Sequence, residues 1–345
     1  MAPTEEPLMR FGVIADVQHA NIDNAYNFHR TFMRFYRHAL HKFKEAVDTW
    51  NDNKVDFAIQ LGDIVDGFSG KHGHLENDFR NLTNVVKEFK SVGLPVQKTD
   101  SGVYSALDDA SEEEKTPYMC HLWGNHEFYN YSRAELWKSE FNSFVAPSGS
   151  ASSLDLDDAK INNEFGYYYS FTYKGFRFVA LDAYDVGDMS RPVGCDLHTK
   201  AVSTLKKYKK DDKYPSIVNW NGALSNAQLN WLHNELLTAT QQNQKVILLT
   251  HVPLDARASR EASLIWNAAE VMRMVHCFDC VVACLAGHFH AGGYYHDQKN
   301  NIHHVTFQGA IERDPATNAF AVIEVYEDFL KINGYGKIDS KILKF

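Results

Sequence analysis

Val55-Asp56-Phe57-Ala58-Ile59-Gln60-Leu61-Gly62-Asp63-Ile64-Val65-Asp66 (VDFAIQLGDIVD) decides the fold class. The run Val55–Leu61 is short, apolar and rich in residues that suit a buried strand, and it is too short to stand as a helix. It breaks at Gly62 and delivers the carboxylates Asp63 and Asp66. The same device recurs outward along the chain. Arg10–Ala15 delivers Asp16 and Gln18, and Tyr118–Trp123 delivers Gly124-Asn125-His126-Glu127. Lys245–Leu249 leads to His251, and Val281–Ala286 leads to Gly287-His288-Phe289-His290, while Phe176–Leu181 is a further apolar run. Helical periodicity fills the spaces between. Phe28, Phe32, Phe35, Ala39, Phe43 and Val47 share one face, and Leu75, Phe79, Leu82, Val86 and Phe89 share another. Ser225-Asn226-Ala227-Gln228 reads as a capping box before a third helix, and a fourth is expected across Ala262–Val275. Strands alternating with helices define an α/β fold with a sheet that is at least partly parallel.

Composition narrows the function. The 345 residues carry 35 basic and 44 acidic side chains, a net charge of −9, which argues against electrostatic nucleic-acid binding. At 44% hydrophobic the chain can bury a large core, so wholesale disorder is excluded. No run of about 18 apolar residues is present, so no membrane span is expected. The opening MAPTEEPLMRFGVIADVQ lacks the pattern of a secretory signal. Five cysteines make no disulfide framework and suit a reducing compartment, so a cytoplasmic protein is expected. One domain over residues 1–345 is expected, with loop insertions near 97–116, 146–163 and 185–216. The Lys206–Lys213 run reads as solvated surface. Cys277-x-x-Cys280 with Cys284 has no second pair and reads as small buried hydrophobes, while His296, His303 and His304 read as surface groups.

In open α/β sheets the carboxyl ends of parallel strands converge on one crevice. Asp, Gln, Asn and His side chains just beyond several strand ends therefore meet in space. Oxygen with imidazole, and no cysteine, suits Mn²⁺, Fe²⁺ or Zn²⁺, with Mg²⁺ at an oxygen-rich position. Seven such groups exceed one closed tetrahedral site and fit two ions sharing a bridging carboxylate.

Asp16-x-Gln18, Gly62-Asp63-x-x-Asp66, Gly124-Asn125-His126-Glu127, His251 and Gly287-His288-x-His290 resemble the ordered motif set of the calcineurin-like metallophosphoesterases. Gln18 stands where most of that superfamily has His. With WGNHEFYN (Trp123 to Asn130), Leu181-Asp182-Ala183-Tyr184-Asp185, Asn221-Gly222 and Gly292-Gly293-Tyr294, it resembles the manganese-dependent ADP-ribose/CDP-alcohol diphosphatases. The chain departs from that family in the acidic insertion Gln97–Thr116 and at Phe289 and Ala291. The resemblance implies a four-layer α/β/β/α sandwich with two mixed sheets. It implies two divalent ions, Mn²⁺ foremost, one held by Asp16, Gln18 and His290 and the other by Asn125, His251 and His288, with Asp63 bridging. His126 would clamp a phosphate oxygen or protonate the leaving group, with Asp66 orienting it. The expected reaction is hydrolysis of a pyrophosphate bond by a metal-bridging hydroxide, on ADP-ribose, CDP-choline or CDP-glycerol type substrates, giving a nucleoside monophosphate and a phosphate ester. Alternatives are a phosphodiesterase or phosphomonoesterase using the same centre, or a non-catalytic scaffold of the same fold. An amide oxygen at Gln18 is a weaker, harder donor than imidazole and should bias the site toward manganese. Phe28, Tyr129, Tyr184 and Trp266 are candidates to stack a nucleobase, and Asn221 and Asn267 to contact ribose or phosphate. A monomer acting on a small nucleoside-diphosphate substrate is expected, with neither nucleic acid nor membrane as partner.

Overall fold

The computed structural model describes residues 6–27, 29–90, 96–98, 104–106, 119–143, 158–208 and 211–345. Phe28, most of the 97–116 stretch and the 146–157 part of the second insertion lie outside the described residues. Two mixed sheets of six strands dominate the fold. The first runs in the order Lys341–Lys344, Phe329–Gly336, Ala319–Val325, Met9–Ile14, Phe57–Gln60, Met119–His121. The second runs Gly293–Asp297, Ile302–Thr306, Val281–Ala286, Lys245–Thr250, Phe176–Leu181, Tyr169–Tyr173. In the first, Phe57–Gln60 is parallel to both its neighbours, and in the second, four central strands are mutually parallel. Antiparallel strands close the remaining edges.

The sheets face each other through rings. Phe11 stacks on Phe57 at 5.2 Å, and Phe178 of the second sheet meets both edge-on at 5.4 and 5.1 Å. Phe171 stacks on Phe178 at 4.9 Å. Outside the first sheet, Tyr36–Asp52 buries Ala39, Phe43, Val47 and Trp50, and Leu75–Lys87 buries Leu82 and Val85. Outside the second, Asn226–Gln241 contributes Leu229, Leu232 and Leu236, and Ala268–Val275 contributes Val271 and Val275. The layers are helix, sheet, sheet, helix, as expected. None of the described helices is long and apolar enough to cross a membrane.

Four local expectations are corrected. The first helix begins at Tyr36, because Ala25–Tyr26 and Met33–Arg34 pair as a hairpin instead. Asn27 Oδ1 accepts the Thr31 and Phe32 N–H groups at 2.9 and 3.4 Å, and Arg30 is left-handed at φ 55°. Such local side-chain bonding competes with a helical turn. The expected helix over Ala262–Val275 is only a 3₁₀ turn at Glu261–Ser263 followed by Ala268–Val275. Between them the Ile265 and Trp266 N–H groups donate to the distant carbonyls of Pro253 and Gly222. His303 and His304 are buried, since the strand Ile302–Thr306 is covered on both faces. Of the three downstream cysteines Cys284 is buried, whereas Cys280 is half-buried and Cys277 exposed.

Candidate metal centre

Each motif residue leaves the end of a parallel strand and turns inward at once. Asp16, Gln18, Asp63 and His288 adopt left-handed φ angles of 50, 46, 56 and 65°. Non-glycine residues avoid this region, and where it persists at a site the surrounding structure enforces it. Gly62, at φ 101°, allows the turn before Asp63, and a Cβ there would strike the His251 ring. A Cβ on Gly124 would strike Asp63 Oδ1. Both glycines exist to let side chains of the centre approach the backbone.

Asp63 is the hub. Its Oδ2 accepts the Gln18 side-chain N–H at 3.0 Å and lies 3.4 Å from His251 Nε2 and 3.9 Å from His126 Nε2. Its Oδ1 accepts the His126 backbone N–H at 2.8 Å. Gln18 Nε2 lies 3.1 Å from His290 Nε2, which is itself 3.2 Å from Asp16 Oδ1. Asp16 Oδ2 accepts the His288 N–H at 2.9 Å, and the His251 and His288 rings are 5.1 Å apart. Tyr184 donates its hydroxyl to Asn125 Oδ1 at 3.1 Å. The seven expected ligands thus come together. Among the described residues, Asp63, His251 and His288 offer donor atoms mutually within 4.8 Å, the spacing of a metal cradle.

The electrostatics are those of a crowded buried centre. Burial opposes protonation of His251, yet Asp63 outweighs it and raises the imidazole to about 9. His290 is raised to about 9 in the same way, burial being overcome by Asp16 and Glu312. Burial and then the His251 charge hold His288 well below the usual imidazole range. Asp63 is held far below the usual carboxylate range because His251 and His126 outweigh its burial. Asp16 Oδ1, Gln18 Oε1 and His251 Nε2 are buried without a hydrogen-bond partner, a costly state for three polar atoms in one place. Oxygen and imidazole donors left free at one point fit divalent cations.

The Calcineurin-like phosphoesterase family model matches residues 9–292. The chain belongs to that family. The phosphoesterase is 32% identical to a manganese-dependent ADP-ribose/CDP-alcohol diphosphatase of Mus musculus, across 100% of this chain and 95% of the relative. It is 33% identical to the protein of that name from Oryza sativa subsp. japonica, across 98% and 94%. Its fold matches the crystal structure of a dimetal phosphatase from Danio rerio at a TM-score of 0.83 and 29% identity, covering 99% of this chain and 100% of that one.

The proposed substrate contacts of the phosphoesterase distribute differently. Tyr129 is exposed, its ring 5.3 Å from that of His126, and it keeps a face open to the site. Tyr184 is buried behind Asn125 and offers no face to a base. Asn221 is fully buried; its Oδ1 lies 2.8 Å from His288 Nε2 and its amide donates to the Ser216 and Ala262 carbonyls. Trp266 donates Nε1–H to Val218 O at 3.0 Å, and Asn267 ties the Leu224 backbone on both sides. These polar contacts tie together the loops around the centre.

Three residues escaped sequence reasoning. Glu127 accepts the N–H groups of Asp63, Ile64, Val65 and Gly124 at 2.8, 2.7, 3.3 and 2.6 Å, clamping two motif loops together. Burial and the Asp63 charge push its carboxyl up to about 7, against four donors that favour the ionised form. Its signal was its place within the Asn125-His126-Glu127 motif. Glu312 lies 3.0 Å from His290 Nδ1, and Arg34 lies near both Glu312 and Asp66. Only the strand-end rule hinted at Glu312, which follows Ile302–Thr306. Nothing in the sequence marked Arg34.

Proposed function

We propose that this phosphoesterase hydrolyses the pyrophosphate bond of nucleoside-diphosphate-linked small molecules of the ADP-ribose and CDP-alcohol type. Asp16, Gln18 and His290 would hold one divalent ion and Asn125, His251 and His288 a second, with Asp63 between them and manganese as the working metal. The observation that carries this is the convergence of these groups, with Asp16 Oδ1, Gln18 Oε1 and His251 Nε2 buried outside any hydrogen bond. The names of the curated relatives support both the metal and the substrate class. Bound divalent cations supply an acidified water and neutralise charge on the phosphoryl oxygens.

The protein's own part falls chiefly to His126. Burial works against its protonation, but Asp63 and Asp66 outweigh that and raise its pKa above the ordinary imidazole value. Its Nε2 side faces Asp63, while its Nδ1 accepts the Gly67 backbone N–H at 2.9 Å and lies 3.0 Å from Asp66 Oδ2. With Nδ1 engaged, Nε2 is the atom that clamps a phosphoryl oxygen or passes a proton to the leaving phosphate, and Gly67 and Asp66 together orient the ring. Tyr129 borders this side and would receive the nucleoside. Residues 1–345 act as one monomeric catalytic unit on this proposal, and five cysteines without disulfides suit the reducing cytoplasm.

The test is a substrate panel. Manganese-loaded protein is offered ADP-ribose, CDP-choline, a cyclic nucleotide and a phosphopeptide, and products are separated by chromatography. AMP from ADP-ribose and CMP from CDP-choline are expected. Turnover confined to the cyclic nucleotide or phosphopeptide would overturn the assignment.

A further inference from the structure

Two imidazoles of the centre are each backed by a carboxylate, and one guanidinium stands between those carboxylates. Asp66 Oδ2 lies 3.0 Å from His126 Nδ1, and Glu312 Oε1 lies 3.0 Å from His290 Nδ1. Arg34 Nη1 is 3.9 Å from Asp66 Oδ2, and Arg34 Nε is 3.6 Å from Glu312 Oε1. The order His126–Asp66–Arg34–Glu312–His290 thus places one cation between two carboxylates, at ion-pair rather than hydrogen-bond distance. The Asp66 and Glu312 side chains are 0% and 5% exposed, so without a cation between them each would stand as a buried charge compensated on one side only. Arg34 ends the hairpin strand Met33–Arg34, two residues before the helix Tyr36–Asp52 opens, and the Tyr36 phenol faces the same guanidinium. A planar fork with donors on two edges suits two carboxylates better than a lysine point charge does.

We propose that Arg34 is a positioning residue shared by both halves of the centre. By neutralising Asp66 and Glu312 together it fixes the His126 ring, whose Nε2 faces Asp63, and the His290 ring, which binds one ion. The inference rests on the proposed function, since it takes His290 as a metal ligand and His126 as the proton carrier. A guanidinium aimed instead at a substrate phosphate is the competing role, and it leaves a different kinetic mark.

The test measures manganese binding and steady-state kinetics side by side. Binding to full-length protein is followed by the electron paramagnetic resonance signal of free Mn²⁺, and kinetics use ADP-ribose. The variants are Arg34→Met, Arg34→Lys, Asp66→Asn, Glu312→Gln and the Arg34→Met/Glu312→Gln pair. Glu312→Gln is expected to weaken one of two Mn²⁺ sites ~10- to 100-fold, the usual cost of losing a carboxylate behind a ligating imidazole. Asp66→Asn lowers kcat and leaves manganese binding unchanged. Arg34→Met weakens that Mn²⁺ site and lowers kcat, the double variant binds manganese no worse than Glu312→Gln alone, and Arg34→Lys, a point charge that serves one carboxylate at a time, recovers only part of the lost affinity. If Arg34→Met does not fold, Arg34→Gln takes its place in the same cycle. Wild-type manganese binding and kcat with a raised KM in the Arg34 variants would overturn the inference and mark a substrate contact. Additive losses in the double variant overturn it as well. Wild-type protein that binds no manganese overturns the functional proposal and this inference with it, whereas two bound ions left undisturbed by Arg34→Met overturn the inference alone.

Discussion

Asp63 touches Gln18, His251 and His126 at once. Asp63→Asn is expected to abolish manganese binding in a titration while the circular dichroism spectrum stays native. His126→Ala should keep both ions and lower kcat ~10²- to 10⁴-fold, the range for a lost general acid, with KM little changed. Gln18→His should move metal preference from Mn²⁺ toward Zn²⁺ or Fe²⁺, and activity ratios across the three metals that match wild type would refute the manganese bias. At this scale the sequence was informative where chemistry and position coincide. Asp16, Asp63, His251, His288 and His290 each follow an apolar run, so a one-dimensional pattern locates them. Glu127, Glu312 and Arg34 act on backbone groups or on charges remote in the chain, and no local pattern reports that. Tyr184 shows the converse error, because an aromatic beside a motif carries no sign of whether its face or its hydroxyl is used.

Elements decide how close the motif loops can come. Gly124→Ala places a methyl against Asp63 Oδ1 and His251 Nε2, so it should lose metal binding with secondary structure retained, as judged by titration and circular dichroism. Phe57→Ala acts differently. It opens a cavity among Phe11, Phe171 and Phe178 and should cost ~3–5 kcal/mol in urea unfolding, with metal binding in the surviving folded protein intact. The central strands were legible as apolar runs, including the short Met119–His121, beyond which the Leu122 N–H still donates to the Gln60 carbonyl at 2.9 Å. The start of the first helix was not. Phe28 and Phe32 continue its period, but Asn27 and left-handed Arg30 bend the chain into a hairpin, and local polar bonds override an apolar pattern. Of the edge strands beyond His290, Gly293–Asp297 opens on the Gly292-Gly293-Tyr294 motif, whereas Lys341–Lys344 carries none and its pairing depends on which sheet it completes.

Across the whole molecule the centre links metal, protons and stability. His251 and His290 are raised from the ordinary 6.5 to about 9, so in chelated protein their stabilisation is complete below pH 6.5 and disappears as pH rises through about 9. His288, kept neutral by burial, costs stability only below that window. Manganese requires neutral imidazoles, so its affinity must rise over the interval in which the chelated fold weakens. Thermal melts with and without a chelator should therefore diverge from pH 6.5 to 9. At manganese one hundred times its Kd the gap gains ~2.7 kcal/mol. Parallel melting curves at all pH values would contradict this coupling.

The left-handed turns at Asp16, Gln18, Asp63 and His288 bear on how this enzyme can be engineered. Each such turn stores ~1 kcal/mol or more that a glycine would release. A library selected only for heat resistance will accordingly drift toward glycine at position 18, where the side chain is the weakest donor of the set. The survivors would be hardier and slower, and a screen that scores turnover alone would discard them.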